Sequence, residues 1–415
     1  MKRNPLLVLL CLVAALTVLL CISPISSTPA VADPAYEAAV TPTVFNYLPY
    51  VAKNWPPPPT ATPTPTSTVT PTPTPTITPT PTSTATPTPT PTITQTPSGP
   101  PPLAYVANAW SNTVSVIDTS TNTVITTISG FDYPSSFYHG VAITPDGRHV
   151  YVTDLSLTNA LSIIDTITNL VVAKVEVGAF AGSVAIASDG TYAYVGTTQR
   201  LSVIDTRTKA VVDTVLDGVQ PYRFAITPDS RYVYVCKSYP SEIIVLDATS
   251  RTVVETISVP SEIKGGPDAI VASHDGQHVY VVFGGLSVGN QLAVIDTATN
   301  SLTPILDLGW WYRGGDIVIT PDDQFAYLVR TGESDDHGDV EVIDLQTVRK
   351  VTSIPADINP YGAAMTPDGR YVYVTSWGYV GQPGTVSVID INTNLVVDAI
   401  PVGQRPFGIA IQYGW

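Results

Sequence analysis

The chain has 415 residues, with 34 acidic side chains against 19 basic ones and a net charge of −15. A surface of that sign repels phosphate backbones and argues against nucleic acid as a partner. Of its three cysteines, Cys11 and Cys21 fall in the first 32 residues. A processed chain, with Cys236 alone, therefore has no internal disulfide, no multi-cysteine metal site and no C-x-x-C-H heme attachment.

Lys2 and Arg3 precede an apolar run from Leu6 to Ile22, and Ala30-Val31-Ala32 follows before Asp33. This order predicts a secretory signal over residues 1–32, or an uncleaved membrane anchor. Either puts the rest of the chain outside the cytoplasm, secreted or at the cell surface. Residues 33–55 hold a short apolar and aromatic segment that ends at Trp55. Residues 56–101 alternate Thr with Pro. Proline fixes φ and removes a donor, so this stretch reads as a disordered, extended stalk. Fully extended, it would reach about 140 Å at roughly 3.1 Å per residue.

From residue 103 the chain repeats itself. Equivalent tyrosines stand at Tyr105, Tyr151, Tyr194, Tyr234, Tyr280, Tyr327 and Tyr373. Each repeat gives four strand signals, such as Ala104 to Asn108, Thr113 to Asp118, Thr123 to Ile128 and Gly140 to Thr144. Two hairpin turns recur. One is Pro145-Asp146-Gly147 and its variants. The other follows Asp118, Asp165, Asp205, Asp247, Asp296, Asp344 or Asp390, whose carboxylates are expected to cap Asx-turns rather than to form an acidic site. The chain enters on the tyrosine strand and leaves on the strand that normally precedes it. The C-terminal strand must then complete the first unit and close a ring. The fold class is all-β: a seven-bladed β-propeller of four-stranded blades over residues 103–415.

The pieces Tyr-Val-Thr-Asp, Val-Ile-Asp-Thr-x-Thr-Asn and Pro-Asp-Gly together resemble the YVTN family of β-propeller repeats, across about residues 103–415. The resemblance implies the propeller fold and a bacterial or archaeal surface protein. Related propellers include lactonases and the propeller domain of nitrous oxide reductase. The copper-binding features of the latter are missing here.

Function is expected where the repeat is broken. Antiparallel blades put the monotonous hairpins on one face and the variable loops on the other. Trp110, Trp310, Trp311 and Trp377 all fall in the variable loops, with Arg223, Arg313 and Arg405 among them. Aromatics with arginines are the residue types that carry binding energy. The inner strands begin at Gly140, Ser183, Arg223, Ala269, Asp316, Gly362 and Gly408. The broken positions His139, Arg223, Asp268 and Asp316 point to a polar pocket at the channel mouth. The expected binding residues are Trp110, His139, Arg223, Asp268, Trp310, Trp311, Arg313, Asp316 and Trp377. The expected function is binding of a protein or glycan of the envelope or extracellular space, with no cofactor, no metal and no catalytic residue. Membrane contact is expected only through an uncleaved N-terminal segment. Two alternatives are a lactonase-like hydrolase or lyase at the channel mouth and a structural surface-layer component. The acidic loop Glu333, Asp335, Asp336, His337 and Asp339 lacks the residue order of a calcium loop and reads as a solvated loop.

Overall fold

The computed structural model describes residues 101–131, 140–154, 160–238, 240–285, 288–309, 313–331 and 337–413. The expected signal, aromatic segment and stalk lie outside the described residues, except for Pro101 at the end of the expected stalk. Among the described residues no helix is long and apolar enough to cross a membrane.

Blade 1 begins with β1 (Leu103–Asn108), β2 (Thr113–Asp118) and β3 (Thr123–Ser129). Blade 2 holds β4 (Val141–Ile143), β5 (His149–Thr153), β6 (Ala160–Asp165) and β7 (Leu170–Glu176). Blade 3 holds β8 (Ser183–Ile186), β9 (Tyr192–Gly196), β10 (Leu201–Asp205) and β11 (Ala210–Val215). Blade 4 holds β12 (Arg223–Ile226), β13 (Tyr232–Lys237), β14 (Glu242–Asp247) and β15 (Thr252–Ser258). Blade 5 holds β16 (Gly266–Ala272), β17 (His278–Gly285), β18 (Val288–Asp296) and β19 (Ser301–Gly309). Blade 6 holds β20 (Arg313–Ile319), β21 (Phe325–Thr331), β22 (His337–Asp344) and β23 (Arg349–Ile358). Blade 7 holds β24 (Pro360–Met365), β25 (Tyr371–Ser376), β26 (Thr385–Asp390) and β27 (Leu395–Pro401). The last strand, β28 (Pro406–Ile411), pairs antiparallel with β1 and completes blade 1 in the order β28-β1-β2-β3. The seven-bladed ring expected from the repeat, and its closure, are therefore what the chain forms.

The middle strands are apolar on both faces because each blade is stacked between two others. Tyr105, Val106, Val114 and Val116 are fully buried, and the core clusters run from one blade into the next. The turn aspartates do what the repeat predicts. Asp165 Oδ1 accepts the backbone N–H of Ile167 and of Thr168 at 3.2 and 2.8 Å, and the other six bond alike. These bonds hold the Asp165, Asp205, Asp247, Asp296 and Asp344 carboxyls below the usual range.

The tyrosine and the asparagine of the repeat are two halves of one latch. Tyr105 Oη bonds Asn169 Oδ1 of the next blade at 3.1 Å, Tyr234 bonds Asn300 at 2.7 Å and Tyr327 bonds Asn394 at 2.8 Å. Tyr373 of blade 7 closes the circle on Asn122 of blade 1. These asparagines end the turn at φ 53–54°, the left-handed region that asparagine tolerates. Three turns carry Lys209, Arg251 and Val348 there instead, at φ 53–58°. Facing Arg251, the buried Tyr194 hydroxyl has no hydrogen-bond partner among the described residues. Val348 is the worst placed, being β-branched at positive φ. Val348→Asn is expected to raise stability by about 1–2 kcal/mol, by relieving the backbone and giving Tyr280 an acceptor. The check is the urea midpoint of the two proteins at equal m-value.

Candidate functional site on the loop face

Inner strands start on the variable-loop face. That end of each inner strand is laid against its neighbour by small residues. A Cβ on Gly362 would strike the Phe407 carbonyl oxygen, and one on Gly315 would strike that of Tyr361. The sequences Pro360-Tyr361-Gly362 and Pro406-Phe407-Gly408 share this logic. The aromatic side chain points into the face while glycine, in the first case, lets the next blade's backbone approach. Thr375 fixes the pair, donating from Oγ1 to the Phe407 carbonyl at 3.0 Å and accepting from the Gly362 N–H at 2.9 Å.

The result is a continuous ladder of rings and guanidinium groups. Arg223 opens β12 in blade 4 and is 3% exposed. Its side chain passes blade 5 and donates Nη2–H to the Gly315 carbonyl of blade 6 at 3.1 Å. Its guanidinium also lies 5.8 Å from the centre of the Tyr361 ring of blade 7. Tyr361 meets Phe407 edge-to-face at 5.3 Å, and Phe407 meets Trp377 at 5.4 Å. Arg405 lies 5.0 Å from the Trp377 ring centre and 3.7 Å over the Trp110 ring. Backbone bonds hold the outer end. Ala109 and Trp110 donate to the carbonyls of Arg405 and Gln404, and Trp377 donates to that of Asn359. Each cation–π contact is worth about 0.5–2 kcal/mol, and more where water is excluded. Beyond the ladder the loop at 377–384 exposes Tyr379 (55%) and Val380 (74%).

Beneath the rings lies Asp316, also 3% exposed. Its Oδ1 accepts the Ile317 N–H at 2.7 Å and its Oδ2 accepts the Ala363 N–H of blade 7 at 3.2 Å. Burial pushes its carboxyl up to about 6, against the downward pull of Arg223 and the two N–H groups. Asp268 stands one blade over, half-buried, and together with Arg223 bears on the buried Cys236, whose thiol is pushed up by burial.

Trp110, Arg223, Asp316 and Trp377 thus lie along this ladder or beneath it, with Asp268 near Cys236. Arg223 and Asp316 are buried, and the Arg223 cation spans two blades and lies against the Tyr361 ring. His139, Trp310 and Trp311 lie outside the described residues. Arg313 opens β20 opposite Thr331, with nothing described of its side chain. Most of the acidic loop, residues 333–336, is also outside. Asp339 instead forms a two-bonded ion pair with Arg330 at 2.7 Å. Among the described residues no group of His, Cys, Asp and Glu could hold a metal ion. The sequence places Tyr361, Arg405 and Phe407 among the aromatics and arginines of the variable loops, outside the expected binding set. Their signal was the repeated proline-aromatic-glycine step.

Residues 158–286 match the family model described as the cytochrome D1 heme domain. No curated protein matches the chain. Hydrazine synthase of Kuenenia stuttgartiensis is similar at 21% identity and a TM-score of 0.59, covering 68% of this chain and 92% of that one. A putative 6-phosphogluconolactonase from Bacteroides uniformis is similar at 18% identity and a TM-score of 0.60, covering 75% and 99%. The dihydro-heme d1 dehydrogenase NirN, in complex with DHE, is similar at 19% identity and a TM-score of 0.53, covering 74% of each chain. At these identities the likeness shows the propeller fold alone. The family match raises the question of a heme, and the described residues at the Arg223 end do not fit one. The space is crossed by a buried arginine and closed by Tyr361 and Phe407, 6% and 1% exposed. The described imidazoles, His149, His274 and His278, sit at the hairpin end of their blades, where second strands begin. The fold shown is a seven-bladed β-propeller, and one segment of it is similar to a heme-domain family.

Proposed function

We propose that this chain is an extracytoplasmic propeller of the YVTN type that binds a protein partner through its loop face, displayed on the Thr/Pro stalk after a signal or anchor segment. The observation that supports this reading most is the outer end of the ladder. Trp110, Arg405 and Trp377 stay half-buried, and Tyr379 and Val380 project beside them. Trp, Tyr and Arg are the residue types that dominate protein interfaces, and a rigid backing lowers the ordering cost of contact. A glycan would stack on open ring faces, whereas the Trp110 face is covered by Arg405 at 3.7 Å. Catalysis is the weaker reading. Arg223 and Asp316, the groups that would bind an oxyanion and move a proton, are committed to backbone groups inside the ring.

The test uses labelled full-length protein on the surface of the cells that produce it. Binding is expected to fall at least tenfold for Tyr379→Ala with Val380→Ala, and to vanish when the cells are first treated with protease. Binding destroyed by periodate and spared by protease would make the partner a glycan. Binding equal for the variant and the parent would remove the loop face from the account.

A further inference from the structure

Among the described residues, seven outer strands each present one edge with no paired strand, so the ring contains its own comparison set. Unpaired edges invite pairing with other chains, and proteins blunt them with bulges, charges and proline. Every outer strand here has a bulge against its inner neighbour. Six also carry a charge, represented by Lys174, Asp213, Glu255, Asp307, Lys350 and Asp398. The seventh, β3, reads Thr-Val-Ile-Thr-Thr-Ile-Ser, with no charge and no proline. It is β-branched almost throughout, and its Val124 and Ile125 are 37% and 51% exposed.

We propose that β3 is a self-pairing edge. Two copies of the chain join β3 to β3, antiparallel about a two-fold axis, and two four-stranded blades become one eight-stranded sheet. Charge selects the edge that a second copy can use, and the complementary ends of β3 select that copy as the occupant. Two chains of net charge −15 repel, and the same pairing through β11 would bring Asp213 of one copy towards Asp213 of the other. At β3 no like charges meet within the strand. Its two ends are moreover complementary. Lys174 of blade 2 reaches the Gly130 carbonyl, just past β3, at 2.9 Å. Asp118 sits in the turn just before β3, accepting the Ser120 N–H at 2.8 Å. Antiparallel pairing sets the lysine end of each copy beside the aspartate end of the other, twice over. Among the described residues there is one such edge, which closes the assembly at two copies, without a filament. A seven-residue edge falls short of a standard interface, so the dimer is weak, with a dissociation constant on the order of micromolar or above.

Sedimentation velocity of the full chain tests this, from about 1 to about 300 μM, spanning that constant on both sides. The weight-average mass is expected to climb towards twice the monomer mass. Thr126→Asp places on β3 the charge that β11 and β27 carry at the same register. It is expected to hold the protein at one copy throughout the range with an unchanged melting curve, while Thr126→Ala still dimerises. Asp213→Thr, which uncovers a second edge, is expected to carry the mass beyond two copies. A parent protein that stays at one copy at the highest concentration, or a Thr126→Asp protein that dimerises as the parent does, would overturn the proposal.

Discussion

A chain ending at Val402 is expected to lose its cooperative fold. Removing β28 strips β1 of its partner along Ala104↔Ile411, Tyr105↔Ala410, Val106↔Ile409 and Asn108↔Pro406. It also removes Phe407, Ile409 and Ile411, which are 1%, 7% and 6% exposed. Three such side chains are worth about 1.5–3 kcal/mol each. Gln412 would go too, with its bonds to Leu103 on one side and the Gly147 carbonyl of blade 2 on the other. The sum is comparable to the whole stability of an ordinary domain, about 5–15 kcal/mol. The truncated protein should show no sigmoidal melt by circular dichroism and should elute as aggregate or expanded chain. Adding a peptide of residues 403–413 should restore part of the transition. A truncated protein that melts like the parent would mean that the ring is held by blade stacking and not by closure.

The second large effect belongs to Arg223. Arg223→Ala is expected to cost about 3–5 kcal/mol at pH 7.5, because it leaves the Asp316 carboxylate buried without its cation. The cost should shrink at pH 4.5, where Asp316 is protonated. The sign follows from its raised pKa of about 6. The stability tied to this carboxyl is present in full below its ordinary value of 3.8 and is lost as the pH rises through about 6. A shift of that size is worth up to about 3 kcal/mol. Asp316→Asn should therefore flatten the stability profile between those pH values. Arg223→Met with Asp316→Asn should recover most of what Arg223→Ala loses. The Asx-turn carboxyls act in the opposite direction and lower down: their held-low pKa values give stability that is lost only as the pH falls below the ordinary range. Denaturant midpoints across pH 3–8 for the four proteins separate the two groups. Equal costs of Arg223→Ala at both pH values would show that packing on Tyr361, not charge, is what the arginine supplies.

The ring was legible in the sequence because each blade states it again. The tyrosine period, the turn aspartates and the odd strand at the end together gave blade number, strand order and closure. Even the latch could have been read, since Tyr and Asn recur in step, and only the three exceptions needed the structure to show which tyrosine faces which turn. The loop face was half legible. Arg223, Asp268 and Asp316 stood out as departures from the repeat, and they do share one end of the ring. Their burial did not show, because it depends on side chains reaching into other blades: Arg223 two blades on to Gly315 and Asp316 one blade on to Ala363. Spacing along the chain carries no information about such reach. Arg405 was legible as a loop cation, but its stacked position was not, for a related reason. It takes its place between Trp110 and Trp377 only once the two ends of the chain meet in blade 1 and blade 7 is packed beside them.

A photo-reactive amino acid placed at position 379 probes the functional claim most directly, with the same residue at position 254 on the outer edge of blade 4 as the control. Irradiated on its native cells, the protein labelled at 379 should form one discrete adduct with a single protein species, and the protein labelled at 254 should not. The same adduct from both positions, or none from 379, would contradict a loop face built for a partner.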